Sequence, residues 1–294
     1  QTVRIILYSL IFLLSVVGNS LIITVLVRNR RMRTVTNLFL LSLSVSDLMV
    51  SIVCIPFTLI PNLMRNFIFG TGICKLVMYF MGVSVSVSTF NLVAISLERY
   101  SAICNPLTSR VWQTKSHAAK VITATWVVSS LLMLPYPISS TLKPFTRRDN
   151  STGHMCRLVW PNDIIQQSWP APAASSPATA TAVTCSRPRG GASWAAWETA
   201  NNPIIGRMTS SNSTANLMAK KRVIRMLLVI VFLFFLCWTP VFVVNAWQAF
   251  DRRSAYRLTG APISFIHLLS YTSACVNPII YCFMNKRFRQ GMLA

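Results

Sequence analysis

The sequence predicts an all-α membrane protein, a helical bundle with six recognisable spans. Three observations carry this. Of 294 residues, 53% are hydrophobic and only 12% are charged, where a soluble domain averages about 25% charged. Apolar runs long enough to cross about 30 Å of hydrocarbon, at about 1.5 Å per residue, recur along the chain. The 28 basic residues outnumber the 6 acidic ones, for a net charge of +22, and many of them gather beside the runs, as the positive-inside rule produces. A nucleic-acid binder would instead present a soluble basic face, and none is visible.

The central run extends from Cys74 to Tyr100 and carries no charge from Leu76 to Leu97. Within it, residues 83–88 alternate Val and Ser, a period of two that suggests a strand. An isolated strand cannot cross lipid with its backbone groups unpaired. Serine in a membrane helix bonds back to its own turn or across to a neighbour. The run is therefore read as one helix over 74–102, closed by Glu98, Arg99 and Tyr100.

The other spans follow in order. The first covers 5–27, contains Gly18 and Asn19, and is followed by Arg28, Arg30, Arg31 and Arg33, which places that end in the cytosol. Gln1 leads almost directly into it with no initiator Met, as expected of a chain whose natural start lies upstream. The second span, 37–60, holds Asp47 and, near its outer end, Pro56. The fourth, 118–135, has Trp126 at its middle and follows the basic residues Arg110, Lys115 and His117. Four spans return the chain to the outside. Asn150-Ser151-Thr152 then forms an N-glycosylation acceptor in an outer loop. Cys156 lies in the same loop and, on this topology, on the same side as Cys74. The two can pair in an oxidising compartment, the alternative being two free thiols.

Residues 170–219 break the pattern. Up to Pro203 the segment is rich in Ala, Pro, Ser and Thr, a composition that reads as an irregular linker. Two more spans follow, 223–250 with Cys237-Trp238-Thr239-Pro240 and 262–284 with Asn277-Pro278-Ile279-Ile280-Tyr281. Residues 285–294, which include Lys286, Arg287 and Arg289, read as an amphipathic helix on the membrane surface. Six spans give the wrong parity, because Lys220, Lys221 and Arg222 would lie outside. One further crossing between Trp169 and Lys220 would restore every loop to its preferred side, so a span is missing there.

Asn19, Asp47, Cys74, the Glu98-Arg99-Tyr100 triplet, Trp126, Cys156, the CWTP run and the NPIIY run stand together in this order. The set resembles the rhodopsin-like (class A) G protein-coupled receptors, which implies a seven-transmembrane-type bundle. The wording of NLFLLSLSVSDL, YFMGVSVSVSTFNLVAISLERYSAIC, AKKRVIRMLLVIV and GAPISFIHLLSY is similar to the cholecystokinin/gastrin receptors. His267 leans toward the gastrin-preferring subtype, whereas Asn150-Ser151-Thr152 and Asn162-Asp163 lean toward the other. The chain departs from that group just after Gln166-Gln167-Ser168-Trp169, and the run that follows resembles an out-of-frame reading of a GC-rich exon.

The resemblance implies roles. Arg99 would contact the G protein, with Glu98 restraining it at rest, and Pro106 and Leu107 would plug into the G protein. Lys220 stands where some relatives carry an acidic lock partner. Trp238 above the Pro240 kink, with Phe234 a turn deeper, would form the switch, together with Asn277, Pro278 and Tyr281. Asp47, Ser88, Ser273 and Asn277 resemble a pocket for an allosteric sodium ion. An intramembrane acid is costly and marks a functional site in any case.

The ligand follows partly by exclusion. Met81 stands where amine receptors carry aspartate, and Tyr271 where opsins carry the retinal lysine. The outer loops carry Lys143, Arg147, Arg148, Arg157, Arg252, Arg253 and Arg257. The positive-inside rule does not explain these charges, and they suit an acidic peptide. By resemblance, Met155 and Arg157 would meet a sulfotyrosine and Asn245 the peptide's amide end. Met81, Tyr136, Ile263, His267 and Tyr271 would line an apolar pocket. Gln248 stands where that group carries a ligand-pairing arginine.

The sequence contains no nucleophile triad, metal cluster or phosphate-binding glycine loop, so the expectation is not an enzyme. It is a plasma-membrane receptor for an acidic amidated peptide of the cholecystokinin/gastrin type, coupled to a Gq-type G protein and calcium, and surrounded by lipid. The alternatives are a non-signalling variant lacking the fifth span and, more remotely, a six-span channel or transporter.

Overall fold

The computed structural model describes residues 2–104, 113–146, 150–159, 203–250 and 261–284. Helix α1 spans Thr2–Arg28, and a 3-10 turn, Arg30–Met32, follows. Thr34 caps α2 (Val35–Met49) by accepting a hydrogen bond from the Asn37 amide at 3.3 Å, which satisfies one of the orphan donors at a helix start. A π turn, Val50–Cys54, then leads into α3 (Ile55–Met64) without a break in the span. The turn sits immediately before Pro56, whose ring lacks the N–H and crowds the preceding turn, and a wider turn relieves that crowding. Arg65, at φ 50°, ends α3 in the left-handed region.

Helix α4 covers Gly70–Cys104, and the Val/Ser stretch lies in its middle as helix. Residues 82–89 are buried on every side, as a helix enclosed by neighbours must be. Ser84 and Ser88 reach across rather than back. Ser84 Oγ donates to the Ser46 carbonyl at 2.9 Å, and Ser88 Oγ meets Ser46 Oγ at 3.0 Å. Thr114 caps α5 (Lys115–Leu132) through the His117 amide, and a short helix, α6 (Pro135–Ser139), leads out of it.

The segment after α6 forms a hairpin, β1 (Ser140–Thr146) paired antiparallel with β2 (Thr152–Leu158). Asn150, exposed and at φ 59°, lies in its turn. The sequence reading gives only a loop here. Leu142 and Phe145 stand three apart in β1, so no period of two shows, and Pro144 further masks the strand signal.

Helix α7 runs Pro203–Phe250, 48 residues and about 72 Å long at 1.5 Å per residue. This corrects the reading of 170–219 as irregular: residues 203–219 are helical, and 170–202 lie outside the described residues. No glycine or proline occurs between Gly206 and Pro240, so nothing stops the helix of the apolar span from propagating toward Pro203. Helix α8 (Ala261–Met284) closes the bundle, and 285–294 lie outside the described residues. Among the described residues, six helices are long and apolar enough to cross a membrane.

The largest core cluster joins α1, α2, α4, α5, α7 and α8 around Ile22, Phe39, Leu43, Val85, Ala118, Trp238 and Ile280. Helix α1 approaches α8 closely at Gly18, where an added Cβ would stand 2.7 Å from the Pro278 Cβ. Helix α7 packs chiefly against α8, and α5 against α4 and α2.

Candidate functional site

At mid-bundle, Asp47 is buried and its Oδ2 accepts a hydrogen bond from Asn277 Nδ2 at 2.8 Å. This contact joins α2 to α8 across 230 residues of sequence. The other expected members of the pocket are nearby in the network but engaged elsewhere. Ser46 Oγ donates to the Leu43 carbonyl at 2.8 Å, so its one proton is committed and Ser88 is the donor in their contact. Ser273 Oγ accepts from Trp238 Nε1 at 3.0 Å and donates to the Ser270 carbonyl at 2.7 Å. The quartet thus divides into one direct pair, Asp47–Asn277, and two hydroxyls held by Ser46 and Trp238.

Around it lies a second set of polar contacts that the sequence shows only as polar residues inside apolar runs. Asn19 Nδ2 donates to the carbonyls of Ser15 and Ala274, each at 2.9 Å. Ser51 Oγ donates to the Asp47 carbonyl. Ser42 Oγ accepts from both Asn91 Nδ2 at 2.9 Å and Trp126 Nε1 at 3.0 Å, which ties α2, α4 and α5 together. In hydrocarbon, polar groups that find each other act as glue between helices. Trp126, singled out in the sequence, is therefore a packing residue here.

The switch residues lie on α7 and α8. Trp238 stacks on Phe242, with centroids 5.9 Å apart, and tilts against Phe234 at 6.2 Å. Pro240 lies inside α7 and Pro278 inside α8. Tyr281 is buried, and its hydroxyl has no hydrogen-bond partner among the described residues. At the same end of the bundle, Glu98 Oε2 lies 4.0 Å from Arg99 Nη2. Glu98 is buried, yet neither of its carboxylate oxygens accepts a hydrogen bond among the described residues. The pair is a loose contact rather than a clamp. Tyr100 is exposed. Pro106 and Leu107 lie outside the described residues, as does the side chain of Lys220.

At the opposite end, Cys74 and Cys156 are joined by a disulfide with Cα atoms 5.6 Å apart. The bridge fastens β2 to the start of α4. Two further contacts hold the same strand: the Phe67 amide donates to the His154 carbonyl at 2.8 Å, and the His154 amide donates to Asn66 Oδ1 at 2.7 Å. On this anchored strand Met155 and Arg157 are exposed, and Arg157 Nε contacts Met155 Sδ at 3.2 Å.

The expected apolar pocket residues are only partly gathered. Ile263, His267 and Tyr271 recur every four residues along α8 and so share one face. Tyr271 is fully buried, bonds Thr58 Oγ1 at 2.8 Å, and meets the Tyr8 ring edge-on at 6.0 Å. Met81 packs in that same cluster. Tyr136 sits apart, against Val83, Val87 and Met133. Asn245 is exposed on α7, and the side chain of Gln248 lies outside the described residues. Thr58 and Tyr8 escaped the sequence reading because a lone hydroxyl in an apolar run does not reveal its partner.

Residues 18–281 match the family described as the 7 transmembrane receptor (rhodopsin family). The chain belongs to the rhodopsin family of seven-transmembrane receptors. It is 55% identical to the cholecystokinin receptor type A of Canis lupus familiaris and to that of Homo sapiens, in each case over 99% of this chain and 80% of the relative. It is 48% identical to the gastrin/cholecystokinin type B receptor of Mus musculus, over 99% of this chain and 78% of that protein.

Rhodopsin-family membership makes the chain a multi-pass membrane receptor rather than an enzyme. The alignments with the dog and human relatives run to 341 positions against 294 residues here, so at least 47 positions of those relatives lack a counterpart in this chain. That shortfall exceeds the roughly 20 residues needed for one crossing.

Proposed function

We propose that the chain is a plasma-membrane receptor for an acidic, amidated peptide of the cholecystokinin/gastrin type, signalling through a Gq-type G protein and calcium. The observation that carries this reading is the anchored strand bearing Met155 and Arg157, exposed and held to α4 by the Cys74–Cys156 bridge, in a chain 55% identical to cholecystokinin receptors. The hairpin end faces the cell exterior, and Asn150 in its turn carries a glycan. Peptide binding shifts an existing equilibrium in which the Arg99 end opens to the G protein. The 4.0 Å spacing of Glu98 and Arg99 supports this, since so loose a pair gives way readily. A carboxylate, an amide and two hydroxyls are hard oxygen donors of the kind an alkali or alkaline-earth cation takes. Asp47, Ser88, Ser273 and Asn277 would hold sodium, provided that Ser88 and Ser273 exchange their present partners.

A second reading is a six-span variant that reaches the membrane without signalling. It is favoured by the six spans and by the positions lacking a counterpart. Radiolabelled sulfated peptide and calcium imaging in transfected cells separate the two. Saturable surface binding with calcium release is expected of the receptor. Binding without any calcium response sinks the signalling half of the reading, and no binding sinks both halves.

A further inference from the structure

Helix α4 ends at Cys104 and α5 begins at Lys115. Two side chains hold the entry of α5. Thr114 Oγ1 accepts from the His117 amide at 3.2 Å and so starts the helix. One residue earlier, Gln113 Nε2 donates to the main-chain carbonyl of Glu98, inside α4, at 2.8 Å. In a helix that carbonyl already serves the amide four residues on. A carbonyl oxygen has two lone pairs, so Gln113 takes the second without disturbing α4. The bond joins residues 15 apart in sequence. Ala118, in the first turn of α5, is fully buried in the largest core cluster, so the entry is packed against the bundle as well as bonded to it.

This tie differs in kind from the ion pair beside it. Among the described residues the Glu98 carboxylate accepts no hydrogen bond and Arg99 Nε donates none, and the two charges stand 4.0 Å apart. That pair is free to part. Gln113 bonds the backbone of Glu98 and not its carboxylate, so its hold depends neither on the charge of that carboxylate nor on where Arg99 goes. The entry of α5 stays fastened to α4 whether the pair is closed or parted.

We propose that Gln113 is a positioning residue for G-protein coupling, which fixes the entry of α5 beside Arg99 so that the rim the G protein meets is already ordered. This rests on the receptor reading above. Ordering an untied entry costs conformational entropy at the moment of binding, and an entry ordered beforehand removes that cost from the encounter. The tie is the same before and after nucleotide release. It therefore bears on how tightly the G protein is held and not on how fast it turns over.

The test uses the full chain in nanodiscs with saturating sulfated peptide, catalysing nucleotide exchange on a purified Gq-type heterotrimer of varied concentration. Gln113→Met keeps the length and loses the donor. It should raise the half-saturating G-protein concentration about two- to tenfold, the effect of one net hydrogen bond, with the maximal rate unchanged. Gln113→Glu, which can only accept when ionised, should lose at least as much. Gln113→Lys returns a donor of similar reach and should recover most of the loss. Affinity for the radiolabelled peptide without G protein should stay the same in all three. Amide hydrogen exchange over residues 113–118 should quicken in the Met and Glu variants and not in the Lys variant. Unchanged hydrogen exchange overturns the tie, and an unchanged half-saturating concentration overturns the role while leaving the receptor reading intact. An equal fall in peptide affinity also overturns the role, since it marks a general packing defect. A wild-type chain that drives no nucleotide exchange removes the receptor reading and this role together.

Discussion

Helices α4 and α7 are the two longest described helices, and the bundle treats them in opposite ways. The span of α7 is the more hydrophobic of the two, yet only 33% of it is buried, against 61% of the α4 span. Helix α4 is enclosed on all sides at residues 82–89. Helix α7 buries one face, with Ile230, Phe234, Trp238 and Val241, and leaves Leu228, Phe232, Leu236 and Val243 exposed on the other. Hydropathy does not order helices inside a membrane, because lipid tails are as apolar as leucine. Polar contacts and close packing do. Helix α4 takes the centre through Ser84, Ser88 and Asn91, whose side chains all bond to α2.

Several experiments break or sharpen this contrast. The largest effect is expected from Cys74→Ser, which frees the hairpin from α4. Loss of a native disulfide costs about 2–5 kcal/mol, read as a fall in the thermal midpoint of the detergent-solubilised chain. Leu43→Ala, in the packed α2–α4 side where Leu43 is 1% exposed, should cost about 2 kcal/mol or more through the cavity it leaves. A neutral result there would mean that the enclosed side is no better packed than α7. Gly18→Ala forces a methyl against Pro278 and should destabilise by about 1–3 kcal/mol. Asn277→Ala withdraws the donor from Asp47, at a similar cost of about 1–3 kcal/mol for a buried acceptor left unpaired. Asp47→Leu, which removes the orphaned acceptor as well, should restore most of it in the double mutant, and a failure to recover would show that the pair is not what links α2 to α8. The smallest effect, within about 0.5 kcal/mol, is expected for Leu228→Ala on the open face of α7. If inserting the relatives' missing segment raises that cost to the Leu43→Ala level, the open face is where the absent span belongs.

The spans were legible because a hydrocarbon core imposes length and composition on any helix that crosses it. The paired cysteines were legible because topology set them on one side. The Asp47–Asn277 contact was only half legible, since an intramembrane acid announces itself but its partner, 230 residues away, does not. The hairpin was missed because Pro144 and a short polar turn hide a two-stranded pairing whose stability comes from the disulfide and from Asn66 and Phe67. Residues 203–219 were read as linker because polar composition argues against a span, though not against a helix that projects beyond the membrane.

By itself the sequence determined six long apolar runs and, by motif, their place in a seven-span receptor family, because hydrophobic length, flanking charge and motif order are local properties of the chain. Only the tertiary structure decided that Asn277, and not Ser88 or Ser273, donates to Asp47, that Tyr271 is held by Thr58, and that Met155 stands opposite Lys143. Those outcomes depend on helix rotation and strand register, and both are set by contacts between residues distant in sequence.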